Sequence, residues 1–320
     1  MEYFIFDFDN AQHDVLIESY LFSAALSHKE VPKCKEWFLW KFRDNPFGAT
    51  ILACARDNNT IVGCVAIGLH NFDYESINIK GGISFETFVH PEYQGKGIFK
   101  KLINLAENES TNRGINFLLN FPNSNSLPGF TKMGWKQKNL IEYWIKPAKH
   151  FSLLTKLKEL RKPFIPNINN FEDLNINLIG IVNSYKQDCS FYPVVDEKYL
   201  QWRFFKYPVG DYAVISSKDF FSIARVGQRG SLKEVQVLYV RSNKDIDFNL
   251  KRLLLEYKEK TKYDIVSFSL SKNNFIKNKL ADSFFIKVPN KTNLTFKILN
   301  GSKDYDFDKI QLSAINYHTY

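Results

Sequence analysis

The stretch VHPEYQGKGIFKKL, Val89 to Leu102, joins two runs of different character through a turn that carries Pro91, Gln94, Gly95 and Gly97. Upstream, Gly82 to Val89 (GISFETFV) has the apolar and β-branched content of a strand. Downstream, Ile98 to Arg113 (IFKKLINLAENESTNR) puts Leu102, Leu105 and Ala106 on one helical face with Lys and Glu elsewhere, and Gly114 follows as a stop. A strand that passes to a helix through QGKG is either a plain turn or an anion cradle. The first N–H groups of a helix have no partner, and the helix dipole puts partial positive charge there. A turn that wraps an anion must bring several N–H groups together, and side chains obstruct that approach, so glycines are favoured. Lys96 adds a positive charge.

The elements around this turn alternate. Asp14 to Ser27 and Lys35 to Phe42 have helical spacing, the second stopped by RDNPFG. Thr50 to Arg56 and Thr60 to Gly68 read as strands around a DNN turn, and Asn116 to Phe121 as a buried strand. After the turn-rich PNSNSLPGFTKMGW comes a last strand at Leu140 to Ile145. Strands alternating with a long helix predict an α/β layer arrangement with a mixed sheet.

The rest of the chain echoes this order. WKFRDNPFG at Trp40 to Gly48 matches WRFFKYPVG at Trp202 to Gly210, with five of nine positions identical or like-charged and an offset of 162 residues. That offset is a domain length, so it predicts duplication of a whole domain. Strands at Asp211 to Ile215, Phe220 to Val226, Val235 to Val240 and Ile265 to Leu270, and a helix at Phe248 to Lys260, repeat the first half. After Val240 comes RSNKDIDF, with no glycine where Gly95 and Gly97 stood. The expected organisation is a domain at 1–146, a linker at 147–170 bracketed by prolines, and a second, degenerate domain at 171–320.

Composition narrows the class. The 320 residues carry a net charge of +9, which attracts anions, but Lys and Arg are scattered with no dense block of the nucleic-acid type. Cys34, Cys54, Cys64 and Cys189 form no CxxC pair, so the sequence holds no zinc pattern and suits a reducing compartment. The acidic start MEYFIFDFDN and the lack of a long apolar run lead to the expectation of a cytoplasmic protein without membrane contact.

Val89, Pro91, Gln94, Gly95 and Gly97 together resemble the acetyl-CoA signature of the GNAT acetyltransferase superfamily. Asn123, Ser126, Lys132, Gly134 and Trp135 resemble the motif that follows it there. The likeness covers roughly residues 1 to 145 directly and the second half through the repeat. It implies two tandem GNAT-like domains, the first binding acetyl-CoA. Pantetheine would lie between the strand ending at Phe88 and Val89 and the strand at Asn116 to Phe121, with Asn123 on its other side. Pyrophosphate would sit on the N–H groups of Gly95, Lys96, Gly97, Ile98 and Phe99, next to Gln94. The activity implied is acetyl transfer to an amine of a small molecule, with an amino sugar or sugar nucleotide as one acceptor class. An aminoacyl-tRNA-dependent aminoacyltransferase of cell-wall peptides and an inactive CoA-binding scaffold stay open as alternatives.

The attacking amine must be neutral, so a base must take its proton. Glu86, a carboxylate in an apolar strand, is either that base or an outward-facing strand residue. His90 is a second candidate. Phe130 stands where many relatives carry a Tyr that protonates the departing thiolate, which leaves that role to Ser126 or a water. Trp40, Arg43 and Asn45 could frame an acceptor. Trp40, Pro46 and Gly48 recur in the copy without glycines, however, which favours a structural role for them.

Overall fold

The computed structural model describes residues 1–9, 13–30, 32–148, 154–167, 190–206, 211–217, 220–242, 248–289, 292–299 and 304–317. In chain order the strands are β1 (Glu2–Ile5), β2 (Ile51–Asp57), β3 (Thr60–Tyr74), β4 (Ile77–Val89), β5 (Phe117–Asn120), β6 (Lys136–Lys138), β7 (Ile141–Pro147), β8 (Phe164–Pro166), β9 (Phe191–Pro193), β10 (Asp211–Ser216), β11 (Phe220–Arg229), β12 (Leu232–Ser242), β13 (Ile265–Ser271), β14 (Ile286–Val288) and β15 (Leu294–Ile298). The helices are α1 (His13–His28), α2 (Lys35–Phe38), α3 (Ile98–Asn112), α4 (Leu127–Lys132), α5 (Glu197–Leu200), α6 (Leu250–Lys260) and α7 (Lys277–Asp282). α2 widens into a π turn at Leu39–Arg43, and α5 does the same at Gln201–Lys206.

Two units share these elements, and neither is one continuous stretch. The first comprises Met1–Asn139, Lys198–Tyr207 and Thr292–Asp306, and the second Leu140–Glu197, Pro208–Lys291 and Phe307–Tyr320. In the first, the sheet order is β1-β2-β3-β4-β5-β15-β6. Every neighbour is antiparallel except β4 and β5, which run parallel. In the second, the order β10-β11-β12-β13-β7-β14 repeats the first from β2 onward, again with one parallel pair, β12 and β13.

Each sheet is completed by a strand from the other half of the sequence. β7 pairs with β13 and β14, and β15 pairs with β5 and β6. The division therefore differs from the expected blocks 1–146, 147–170 and 171–320: the strand ending at Pro147 belongs to the second unit, and residues 292–306 belong to the first. The reason is burial. In the first unit Leu294 is fully buried and Phe296 nearly so, which fills the space between β5 and β6.

The long helix α3 covers one face of the first sheet. Ile98, Leu102, Ile103 and Ala106 pack there with Ile51, Ala53, Val65, Ile67 and Leu118. α1 and α2 cover the other face, where Tyr20, Phe38 and Phe42 meet edge to face. In the second unit α6 buries Leu250, Leu253 and Tyr257 against Val235, Val237 and Val266.

Several elements differ from the sequence expectation. β3 and β4 continue past Gly68 and before Gly82 to form one long hairpin, turning at Glu75 and Ser76 with φ of 54° and 67°. This doubly left-handed turn fits the strand twist, but its residues lack the Asn-Gly signature that would announce it. β1, unexpected in the acidic start of the sequence, pairs with β2 from Glu2↔Arg56 to Ile5↔Ala53.

Candidate functional site

The parallel ladder between β4 and β5 runs from Gly81↔Phe117 to Ser84↔Asn120 and stops. β5 ends there, whereas β4 continues through Phe85 to Val89. The backbone of that last stretch has no strand on its β5 side, so it can bond an extended ligand. Immediately beyond lies the glycine turn. Gly95 and Gly97 adopt φ of 76° and 74°, the left-handed region in which glycine is unstrained. The turn therefore depends on these two residue types. The first amide of α3 with a backbone acceptor is that of Lys101, bonded to Gly97 O at 3.3 Å. The amides of Ile98, Phe99 and Lys100 head the helix without an intrahelical acceptor. A Cβ added at Gly95 or Gly97 would meet no atom within 4 Å, so the space beside both glycines is open. These residues fit a phosphate-bearing ligand. Gln94 is used differently: its side chain donates to Val89 O at 3.2 Å and ties the turn to the strand end. The Lys96 ammonium lies 4.6 Å from the centre of the Tyr93 ring, and Tyr93 is fixed by donating to Asp57 at 2.9 Å.

Glu86 sits on the same unpaired stretch of β4, at a break in the β3–β4 register. Cys64 pairs with Phe88 and Ala66 with Phe85, which leaves Glu86 and Thr87 opposite Val65. Glu86 has φ of 45°, an uncommon backbone for a residue with a Cβ. Its side chain is 16% exposed and turns toward the α1/α2 face. Oε1 accepts from Lys41 Nζ at 2.5 Å, and Oε2 lies 4.0 Å from His28 Nε2. Lys41 lies on the π turn with its side chain 5% exposed, its ammonium over the rings of Trp37 and Phe85. Burial pushes the Lys41 ammonium below its ordinary pKa. Glu86 opposes that push, and Arg203 and Lys33 add to it. Tyr20, Cys64 and Cys54 are buried close by, and burial raises the first two, with the Glu86 charge contributing. The His28 ring meets Phe88 edge-on at 6.0 Å, which connects this cluster to the strand end.

The sequence does not announce Lys41 or His28. Lys41 hides in the aromatic run KEWFLWKF. Its only sequence signal is that the matching position of the repeat, Arg203, is also cationic.

Other expected residues are placed as follows. Asn123 accepts at Oδ1 from the amides of Asn125 and Ser126, at 2.9 and 3.0 Å, and so closes its own turn. Ser126 Oγ donates to the same oxygen at 3.2 Å. Phe130 is buried, with ring contacts to Phe99 and Trp135. His90 accepts from the Glu92 amide at 3.4 Å and caps the short turn before the glycines. Asn45 bridges the Phe47 amide and Leu69 O, and Arg43 pairs with its neighbour Asp44. Trp40 and Trp202 stack at 5.5 Å, and each indole N–H donates to the other's backbone carbonyl, at 2.7 and 2.8 Å. Pro208 and Gly210 of the repeat lie outside the described residues, as does Cys189.

The second unit has a similar opening. Its parallel ladder ends at Val237↔Phe268 while β12 continues to Ser242. Here the chain's own C-terminal segment enters. Ser271 N donates to Leu312 O, Leu312 N donates to Ser271 Oγ, Leu270 bridges Ser313, and Tyr317 donates to Ser269 Oγ at 2.5 Å. The space left between Val237, Tyr239, Phe268, Leu270 and Leu312 is about 20 Å³, room for one water.

A parallel strand pair that parts beside a glycine turn and a helix N-terminus can hold an extended ligand that carries phosphate. Residues 13–135 match the model of the Acetyltransferase (GNAT) family. Solved structures share the fold over nearly the whole chain. A GCN5-related N-acetyltransferase from Anabaena variabilis has a TM-score of 0.61 at 10% identity, covering 93% of this chain and 73% of its own. A conserved protein of unknown function from Enterococcus faecalis, titled a probable N-acyltransferase, has 0.66 at 8%, with 93% and 73% covered. The N-myristoyltransferase of Saccharomyces cerevisiae, solved with myristoyl-CoA, has 0.57 at 12%, with 100% and 89% covered. No curated protein sequence matches the chain. No described helix is long and apolar enough to cross a membrane.

Proposed function

We propose that the chain transfers an acetyl group from acetyl-CoA to an amine of a small molecule, with amino sugars as the first acceptor class to test. The observation that carries this reading is the continuity of the site. The unpaired edge of β4, Phe85 to Val89, leads straight into the open turn at Gly95 and Gly97 and the head of α3. Acetyl-CoA supplies the thioester. Backbone groups of Phe88 and Val89 bond its pantetheine, and the amides of Gly95 to Phe99 hold its pyrophosphate. Asn123 closes the far side of the pantetheine. Glu86 takes the proton of the attacking amine. The nitrogen lone pair forms the N–C bond at the thioester carbonyl carbon, the C–S bond breaks, and the sulfur leaves with its electron pair. Ser126 or a water returns a proton to the thiolate, since Phe130 has none to give.

Calorimetry of acetyl-CoA on the wild type and on Gly95→Asp tests the proposal. The added side chain enters only the open space of the turn, at a left-handed strain of roughly 1 kcal/mol. The fold is expected to survive while affinity falls at least tenfold. Equal affinity in the two proteins would locate any binding elsewhere.

A further inference from the structure

The duplicated unit provides an internal comparison for Glu86. Both units break register on the strand that borders the opening. In the first, the break leaves Glu86 and Thr87 unpaired, and in the second it falls between Ile223↔Tyr239 and Ala224↔Val237, leaving Leu238. The second unit therefore makes its bulge with an apolar residue, so the bulge does not need a charge. The carboxylate stands only in the unit that also has the glycine turn. There it adopts a left-handed backbone and is matched by a buried ammonium. A side chain that is costly to its own strand, and absent where the turn is absent, belongs to the chemistry.

We propose that Lys41 is a positioning residue for the acyl transfer proposed above, on which this inference rests. Lys41 Nζ holds Oε1 of Glu86, and the stacked walls of Trp37 and Phe85 hold Lys41. Oε2 is left as the oxygen that receives the amine proton. His28 Nε2 stands 4.0 Å from Oε2 on a side chain 36% exposed, beyond direct hydrogen-bond reach, so a water between them carries that proton toward solvent and returns the carboxylate to its starting state. The proton moves from the amine to Oε2 and through water beside His28 to solvent, and nothing else is consumed. The titratable groups facing Glu86 are His28 and Tyr20 from α1, Lys41 from the π turn after α2, and Cys64 from β3. Cys54 from β2 lies behind Cys64, and Arg203 and Lys33 stand beyond Lys41.

The test uses Lys41→Met, which keeps an unbranched chain between the two rings, and Lys41→Arg, which keeps the charge. Three readouts are taken on the full chain: acetyl-CoA affinity, the pH profile of thiol release from acetyl-CoA with glucosamine or water as acceptor, and a carboxyl-13C glutamate titration. The Glu86 signal in the last is assigned by its loss in Glu86→Gln. In Lys41→Met, acetyl-CoA affinity is expected to stay as in the wild type. Turnover is expected to fall about tenfold or more, and its acidic limb and the Glu86 signal to move to higher pH, because a mostly buried carboxylate has lost its counter-charge. Lys41→Arg is expected to restore both. Unchanged Glu86 titration in Lys41→Met overturns the inference, as does an equal loss in both variants. Failure of the wild type to bind acetyl-CoA would instead defeat the functional proposal, and the Glu86 titration would still report on the pair.

Discussion

Left-handed residues separate the two copies at the smallest scale. The end of α4 turns at Gly134, with φ of 83°, and the matching end of α7 turns at Phe284, with φ of 60°. Both helices close by the same bond, Trp135 N to Phe130 O in one and Phe285 N to Leu280 O in the other. Phe284 does this with its side chain 78% exposed, so packing returns little for the strain. Relief of a left-handed backbone is worth roughly 1–2 kcal/mol, and glycine gives back about 0.5–1 through the unfolded chain. Phe284→Gly should therefore raise stability by about 0.5–1 kcal/mol, read from the denaturant midpoint. A loss of stability would mean that the ring packs in a way its exposure does not show. The same local rule made the QGKG turn readable in advance, because a residue's tolerance of positive φ is a property of that residue alone.

At the scale of elements, β15 is the piece whose absence should be felt first. It lies between β5 and β6, and its Lys297 donates to Glu107 on α3 at 2.6 Å and to Met133 O at 3.0 Å. Glu107 in turn accepts from the Trp135 indole at 2.7 Å. A fragment of residues 1–139 contains the whole glycine turn yet lacks this strand. Its β5 edge would be open, and the Glu107 carboxylate, nearly buried, would lose its cation. The fragment should show no cooperative thermal transition, whereas 1–139 joined through a flexible linker to 292–306 should recover part of one. A sharp transition for the bare fragment would show the strand to be dispensable. Elements with a strong pattern of their own, such as α3 and the Thr60 to Gly68 part of β3, were legible in the sequence. β1 and the three-residue strands were not, because their stability comes from neighbours rather than from their own pattern.

For the whole molecule, duplication produced two openings with different fates. The first ends in a glycine turn, and the second is filled by residues 307–317 of the same chain. One molecule of acetyl-CoA should bind per chain, and calorimetric stoichiometry measures this directly. A value of two would mean that the C-terminal segment withdraws from the second opening. The chain charge of +9 is consistent with an anionic ligand and chooses no particular one.

The amino-acid sequence by itself determined the local features: the glycine turn between a strand and an amphipathic helix, the order of the elements, and the repeat. Each depends on residues within one or two turns of one another, so propensity and pattern suffice. The tertiary structure alone decided which strand completes which sheet, that Trp40 and Trp202 clasp each other across 162 residues, and that Glu86 is held by Lys41 across 45. These contacts depend on burial and charge pairing between distant segments, and a single sequence read along its length contains no term for them.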